Sequence, residues 1–93
     1  MLVDFTARWC GACKELDKLS FSDPAVMNEA GRFVAVKVDA TDDEDPAVVR
    51  AMKELGVIGL PTVVLIDSDG REAVRYTDFV DAGVLLSALK NVR

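Results

Sequence analysis

The chain has 93 residues, 51% of them hydrophobic, and 11 basic against 16 acidic side chains give a net charge of −5. That length predicts one domain spanning residues 1–93. Such a composition excludes a disordered tail, the charge argues against nucleic acid, and neither a membrane span of roughly 18–20 apolar residues nor a signal-peptide core is present.

Met1–Thr6 (MLVDFT) is apolar and β-prone apart from Asp4, and reads as a buried strand. Trp9-Cys10-Gly11-Ala12-Cys13 follows and opens a helix with Leu16 and Leu19 on its inner side. Ser22-Asp23-Pro24 restarts a helix, a capping residue before Pro at the first helical position, and Gly31 ends it. Phe33–Asp39 is the next strand, with Val34, Val36 and Val38 on one face. Asp45-Pro46 opens a helix carrying Val48, Met52 and Leu55, closed by Gly56. Thr62–Asp67 is continuously apolar, the mark of a strand covered on both faces. Asp67-Ser68-Asp69-Gly70 turns into a polar-alternating strand, Arg71–Tyr76, and Asp81 caps a last helix with Val84, Leu85, Ala88 and Leu89 inward. The order β-α-α-β-α-β-β-α predicts an α/β fold with a mixed four-stranded sheet and helices on both faces. The 33–39 and 62–67 strands are expected to pair in parallel after long crossovers, and the tight turn adds one antiparallel pair.

No histidine is present, so Cys-His and Ser-His-Asp catalysis and His-ligated metals are excluded. Cys10 and Cys13 are the only cysteines. They supply two of the four ligands of a structural zinc, and Lys14 stands where a c-type haem motif needs His, so no metal or cofactor is expected. A dithiol/disulfide pair remains. Cβ atoms at i and i+3 of a helix lie about 5–6 Å apart, and a disulfide needs about 3.5–4.5 Å, so both redox states are accessible with small adjustment. As a staple the bond is weak: a four-residue loop contributes about 2 kcal/mol against about 3 for fifteen residues. The two sulfurs are expected to differ. Cys10 precedes the helix, where unpaired N–H groups and the dipole lower a thiol pKa from about 8.5 toward 3.5–7.5. Cys13, in the first turn, is the expected buried resolving thiol. Cys10 would attack a partner disulfide and Cys13 would release the mixed disulfide.

Asp4 is a lone acid in an apolar strand, expected to be buried with a raised pKa and placed to take the proton of Cys13 through water. Pro61, in Gly59-Leu60-Pro61-Thr62, marks a strand start, and a cis bond there would expose a backbone edge to a substrate strand. The acidic loop Asp39, Asp42, Asp43, Glu44, Asp45 lacks the glycine and terminal glutamate of a calcium loop and reads as solvated. Lys14, Glu15, Asp17 and Lys18 read as a solvated helix face, with Asp17 close enough to influence Cys10.

Val3-Asp4-Phe5, Trp9-Cys10-Gly11-Ala12-Cys13-Lys14 and Gly59-Leu60-Pro61-Thr62 together resemble the thioredoxin family: its buried-acid strand, active-site motif and cis-Pro loop, in order and over nearly the whole chain. Cys13-Lys14-Glu15, Phe21-Ser22-Asp23-Pro24 and Gly56–Pro61, with Ala12 where thioredoxin proper has Pro, resemble more narrowly the C-terminal thioredoxin-like domain of the DsbD family, bacterial transmembrane thiol:disulfide interchange proteins. The resemblance implies that Cys10 is the nucleophile, Cys13 the resolving thiol, Asp4 the buried proton acceptor and Pro61 a cis residue. It aligns Asp17 with an acid seven residues after the nucleophile. It places Ala35 where thioredoxin has a lysine beside its buried acid, and implies that the first strand and helix of a full thioredoxin are absent. Trp9, Gly11, Ala12, Leu60 and Pro61 would form an apolar docking rim. The implied function is protein-disulfide reduction in the periplasm, with a membrane-embedded cysteine pair as donor, a periplasmic immunoglobulin-like domain as acceptor, and a monomeric isolated domain. The alternatives are a free-standing thioredoxin-like reductase, cytoplasmic or periplasmic, and a non-catalytic binding module of the same fold.

Overall fold

A computed structural model describes residues 1–93. In chain order it contains β1 (Leu2–Thr6), α1 (Gly11–Glu15) running directly into a π-helical turn (Leu16–Ser20), α2 (Pro24–Ala30), β2 (Ala35–Asp39), α3 (Pro46–Glu54), β3 (Thr62–Ile66), β4 (Glu72–Tyr76) and α4 (Ala82–Asn91). The strands build one mixed sheet in the order β2-β1-β3-β4.

Short-range chemistry sets the element ends. Asp23 Oδ1 accepts from the N–H groups of Ala25 (2.9 Å) and Val26 (3.2 Å) at the start of α2, with Pro24 at the first helical position. Asp45 and Asp81 cap α3 and α4 in the same way, through Ala47 (2.8 Å) and Val84 (2.9 Å). Gly56 ends α3 at φ 63° and Gly70 closes the β3–β4 turn at φ 82°, backbone angles that glycine adopts without steric cost.

Alternation along β1 divides the core. Leu2 faces α2 and α4 and packs with Leu65, Val26, Leu85 and Leu89. Val3 and Phe5 face the other side with Val57 and Val64, under Ala51, Met52 and Leu55. β1 and β3 are therefore buried on both faces, as their unbroken apolar runs demand. Each fully buried Leu or Phe among these contributes about 1.5–3 kcal/mol of transfer free energy.

Three expectations need correction. β1 and β2 are parallel, with Val3 opposite Val36, but β3 runs antiparallel to β1, with Phe5 opposite Thr62. The connection explains this. It leaves from Ala40, whose N–H bonds Thr6 O at 2.6 Å, and returns at Thr62, so both ends lie at the same end of the sheet. The nine residues of α3, about 13 Å of helix, fold back without crossing the sheet, and β3 must run back along β1.

Leu19 is 56% exposed rather than inward. Phe21 N–H donates to Leu16 O, five residues back, at 2.8 Å. This wider turn brings Leu16 and Ser20 under the helix, and Ser20 Oγ donates to Val80 O at 2.5 Å. Val34, Val36 and Val84 are also exposed. β2 is an edge strand, Val34 precedes it, and of the three valines in that stretch Val38 packs against the Phe5 cluster. On α4 the inward stripe is Leu85, Ala88, Leu89 and Val92, which leaves Val84 outside.

Candidate active site

β1 ends at Thr6, and four residues carry the chain to the start of α1. The Cys10 N–H donates to Ala7 O at 3.2 Å, which turns the chain toward the helix. Cys10 is the N-cap of α1, with extended backbone (φ −91°, ψ 106°), and its Sγ accepts the Cys13 N–H at 3.2 Å. A cap residue normally offers an oxygen there. Here a sulfur takes that role, so an otherwise unpaired helix N–H points at the reactive atom.

Cys10 and Cys13 are joined as a disulfide with Cα atoms 5.2 Å apart, inside the usual range. Cys10 is 6% exposed and Cys13 2%. Cys13 is buried, as expected of the resolving thiol; Cys10 is buried too and keeps only a narrow window. Its surroundings are apolar: Ala7 clusters with the two cysteines, and Ala12 and Leu60 pack against that cluster.

Trp9 is 61% exposed beside this window. Its Nε1 donates to Thr41 O at 3.0 Å, and the Arg8 N–H donates to Thr41 Oγ1 at 3.0 Å. Thr41 in turn donates its N–H to Asp39 Oδ1 at 3.0 Å. The loop after β2 thus fixes the tryptophan, a contact between residues 32 apart that no local pattern announces. Asp39, Asp42 and Asp45 of the acidic loop each accept a backbone N–H two residues on, and so order that loop.

Leu60–Pro61 is a cis peptide, and Pro61 is buried at the entrance to β3. Thr62 Oγ1 donates to Gly59 O at 2.7 Å and ties the turn before it. Gly11 is exposed, and a side chain there would point into open space.

Asp4 is 7% exposed, on the β1 face turned toward α2 and α4. Burial raises its pKa from 3.8 to about 6; the Asp17 carboxylate adds to the rise and the Lys37 ammonium opposes it. Lys37 stands directly opposite Asp4 in the β1–β2 register, and its Nζ bonds Asp17 Oδ2 at 3.0 Å. Ala35, where the resemblance placed a lysine neighbour, lies opposite Leu2 instead. The cation near the buried acid comes two residues later. Asp17 pairs with Lys37 and acts on Asp4. An opening of about 340 Å³ lies beside these groups, lined by Arg8, Lys14, Asp17, Lys37 and Asp39 together with Thr6 and Ala7. Neither Lys37 nor Thr41 stands out in the sequence. The parallel register of β2 that places Lys37 follows from the sheet and not from spacing along the chain.

A family model described as a thioredoxin-like domain matches residues 1–93. The thiol:disulfide interchange protein DsbD of Pectobacterium atrosepticum is 40% identical over 84 residues, which is 88% of this chain and 14% of that protein. DsbD of Campylobacter jejuni (strain RM1221) is 33% identical over 90 residues, 97% of this chain and 16% of that protein. The chain thus spans about one-sixth or less of these relatives' length. Among solved structures, the reduced C-terminal domain of Neisseria meningitidis DsbD superposes with a TM-score of 0.86 at 28% identity, covering 100% of this chain and 80% of that one. A thioredoxin from Thermus thermophilus gives 0.78 at 25% identity, covering 96% and 69%.

Proposed function

This chain belongs to the thioredoxin-like domain family and is a thiol-disulfide oxidoreductase through its Cys10–Cys13 pair, and from that premise we propose that it works as a protein-disulfide reductase, as the C-terminal domain of a DsbD-like transmembrane protein. The carrying observation is a disulfide across a helix start, in a chain 40% identical to a thiol:disulfide interchange protein.

In the reducing direction the Cys10 thiolate attacks one sulfur of a partner disulfide, and the partner's other sulfur leaves as thiolate. Cys13 then loses its proton, attacks Cys10 Sγ and expels the partner's first sulfur as thiolate. The partner gains two electrons, and the domain is left as the disulfide. Asp4 is the proposed acceptor of the Cys13 proton through water. Its pKa of about 6 leaves it mostly ionised at neutral pH, while the neutral acid stays accessible. Trp9, Gly11, Ala12, Leu60 and Pro61 form the docking rim, and the fixed, exposed Trp9 and the packing of Leu60 against the Ala7–Cys10–Cys13 cluster support that role.

The similarity to thiol:disulfide interchange proteins supports protein dithiol and disulfide partners; the proposed ones are a membrane-embedded cysteine pair that re-reduces the domain and a periplasmic immunoglobulin-like domain that accepts its electrons, with the domain itself in the periplasm. No helix of the chain is long and apolar enough to cross a membrane. Equilibrating the dithiol against glutathione tests the direction. A potential more reducing than the glutathione couple is expected, with reduction of insulin disulfides; a more oxidising one refutes the reductase assignment.

A further inference from the structure

Residues 55–61 lead from the end of α3 to β3 and carry two side chains that a docking partner would meet. Ile58 is 99% exposed, and Leu60 packs on the Cys10–Cys13 cluster. The segment has no regular structure, so its shape depends on point attachments. Val57 gives one, with a buried side chain and an N–H that donates to Met52 O at 2.7 Å. Thr62 gives another, through Gly59 O.

The third comes from the far edge of the sheet. Arg75 lies opposite Val64 on β4, so it sits on the face covered by α3. Its Nη2 donates to Leu55 O at 2.5 Å and its Nη1 to Gly56 O at 3.4 Å. Glu72 holds the guanidinium, accepting from Nε at 2.9 Å and from Nη2 at 2.6 Å. Leu55 and Gly56 are the last residues of the α3 end, where carbonyls lack intrahelical donors and carry the negative end of the helix dipole. The chain turns sharply at Gly56, φ 63°, two residues before Ile58 and four before Leu60.

We propose that Arg75 is a positioning residue for docking: clamped by Glu72, it fixes the Ile58–Leu60 loop in the shape that receives an extended, disulfide-bearing protein segment, without taking part in sulfur chemistry. The proposal rests on the reading of this loop as part of the docking rim. A small disulfide needs only the window over Cys10, whereas a protein segment also needs the loop, so Arg75 separates the two substrate classes.

The test uses the full chain, reduced, with insulin as protein disulfide and dithiobis(nitrobenzoate) as small disulfide. Arg75→Met removes both hydrogen bonds to the Leu55 and Gly56 carbonyls, with the two to Glu72, and should raise KM for insulin by about three- to tenfold, with kcat and the dithiobis(nitrobenzoate) rate unchanged. Arg75→Lys restores the charge without the fork and should recover part of the loss. An unchanged insulin KM in Arg75→Met overturns the proposal, as does an equal loss toward both substrates. Should Arg75→Met not fold, Glu72→Gln decides: it loosens the guanidinium and keeps its donors, and a wild-type insulin KM in it refutes the role. A wild-type chain that leaves insulin intact refutes the reductase reading itself, whereas an unchanged KM refutes only Arg75.

Discussion

Asp4→Asn removes the only charged side chain that the fold buries. In the folded chain its pKa stands at about 6, against 3.8 for an ordinary carboxylate, and burial is the main cause. The unfolded chain therefore gives up the proton first as pH rises. Below about pH 4 both states hold it and Asp4 costs nothing; between 4 and 6 folding becomes progressively less favourable; above 6 the full cost is present. A difference of about two pKa units at 1.36 kcal/mol each gives roughly 3 kcal/mol. The residual water contact of the carboxylate lowers the expected value to about 2–3 kcal/mol. Urea unfolding of the disulfide form, in which no thiol titrates, should show wild type losing that much relative to Asp4→Asn between pH 4 and 7. Asp17, Lys37, Arg8, Lys14 and Asp39 remain in both proteins, so the difference between the two curves isolates Asp4. Parallel curves across this range would refute a burial-driven shift. Insulin reduction by Asp4→Asn should slow between about pH 6 and 8 even though the variant is the more stable protein. Unchanged rates would remove Asp4 from the proton transfer and leave its burial intact.

Limited iodoacetamide labelling of the reduced chain at neutral pH, mapped by mass spectrometry, should find Cys10 modified ahead of Cys13, because Cys10 has the open side and the helix N–H at its sulfur; preferential Cys13 labelling would reverse the assigned roles. Cys13→Ala should accumulate a mixed disulfide through Cys10 with a protein substrate, seen as a reducible mass adduct. Asp17→Asn withdraws one charge that raises Asp4, so the midpoint of the wild-type pH–stability curve should move to lower pH, while loss of its exposed pair with Lys37 costs about 0–1 kcal/mol. Leu89→Ala, at a fully buried position facing Leu2 and Leu65, should cost about 2–5 kcal/mol in urea unfolding.

What could be read from the sequence is what local chemistry determines. Asp23-Pro24, Asp45-Pro46 and Asp81 announce helix starts because each cap is complete within three residues. The apolar runs of β1 and β3 announce two-sided burial. The direction of β3 was not legible, because it depends on where α3 lies and not on how many residues it has. The outward turn of Leu19 follows from a single i→i−5 hydrogen bond that helical periodicity does not encode. In the site, the dithiol, the buried acid and the cis bond stand in motifs, while the contacts that hold them do not. Lys37 and Thr41 reach the site across the sheet or from a neighbouring loop, Arg75 reaches the end of α3, and only the assembled register gives the three their partners.

The placement of charge bears on which way electrons would flow. A dithiol becomes an oxidant when its surroundings strongly stabilise the reactive thiolate, because that favours the reduced form. At Cys10 the stabilising contact is one helix N–H at 3.2 Å. Around the opening beside the site, Arg8, Lys14 and Lys37 face Asp17 and Asp39, with Asp4 buried behind them, so the anions offset the cations. Lys37 is already engaged by Asp17 at 3.0 Å, which leaves less of its charge for a thiolate. With three cations set against three carboxylates, the charges around the opening balance in number. That balance suits a donor of electrons, and it makes Asp17 and Lys37 opposing controls: Lys37→Gln should make the potential more reducing and Asp17→Asn less so. Equilibration of both variants against glutathione reads the two signs directly, and shifts in the same direction would break the argument.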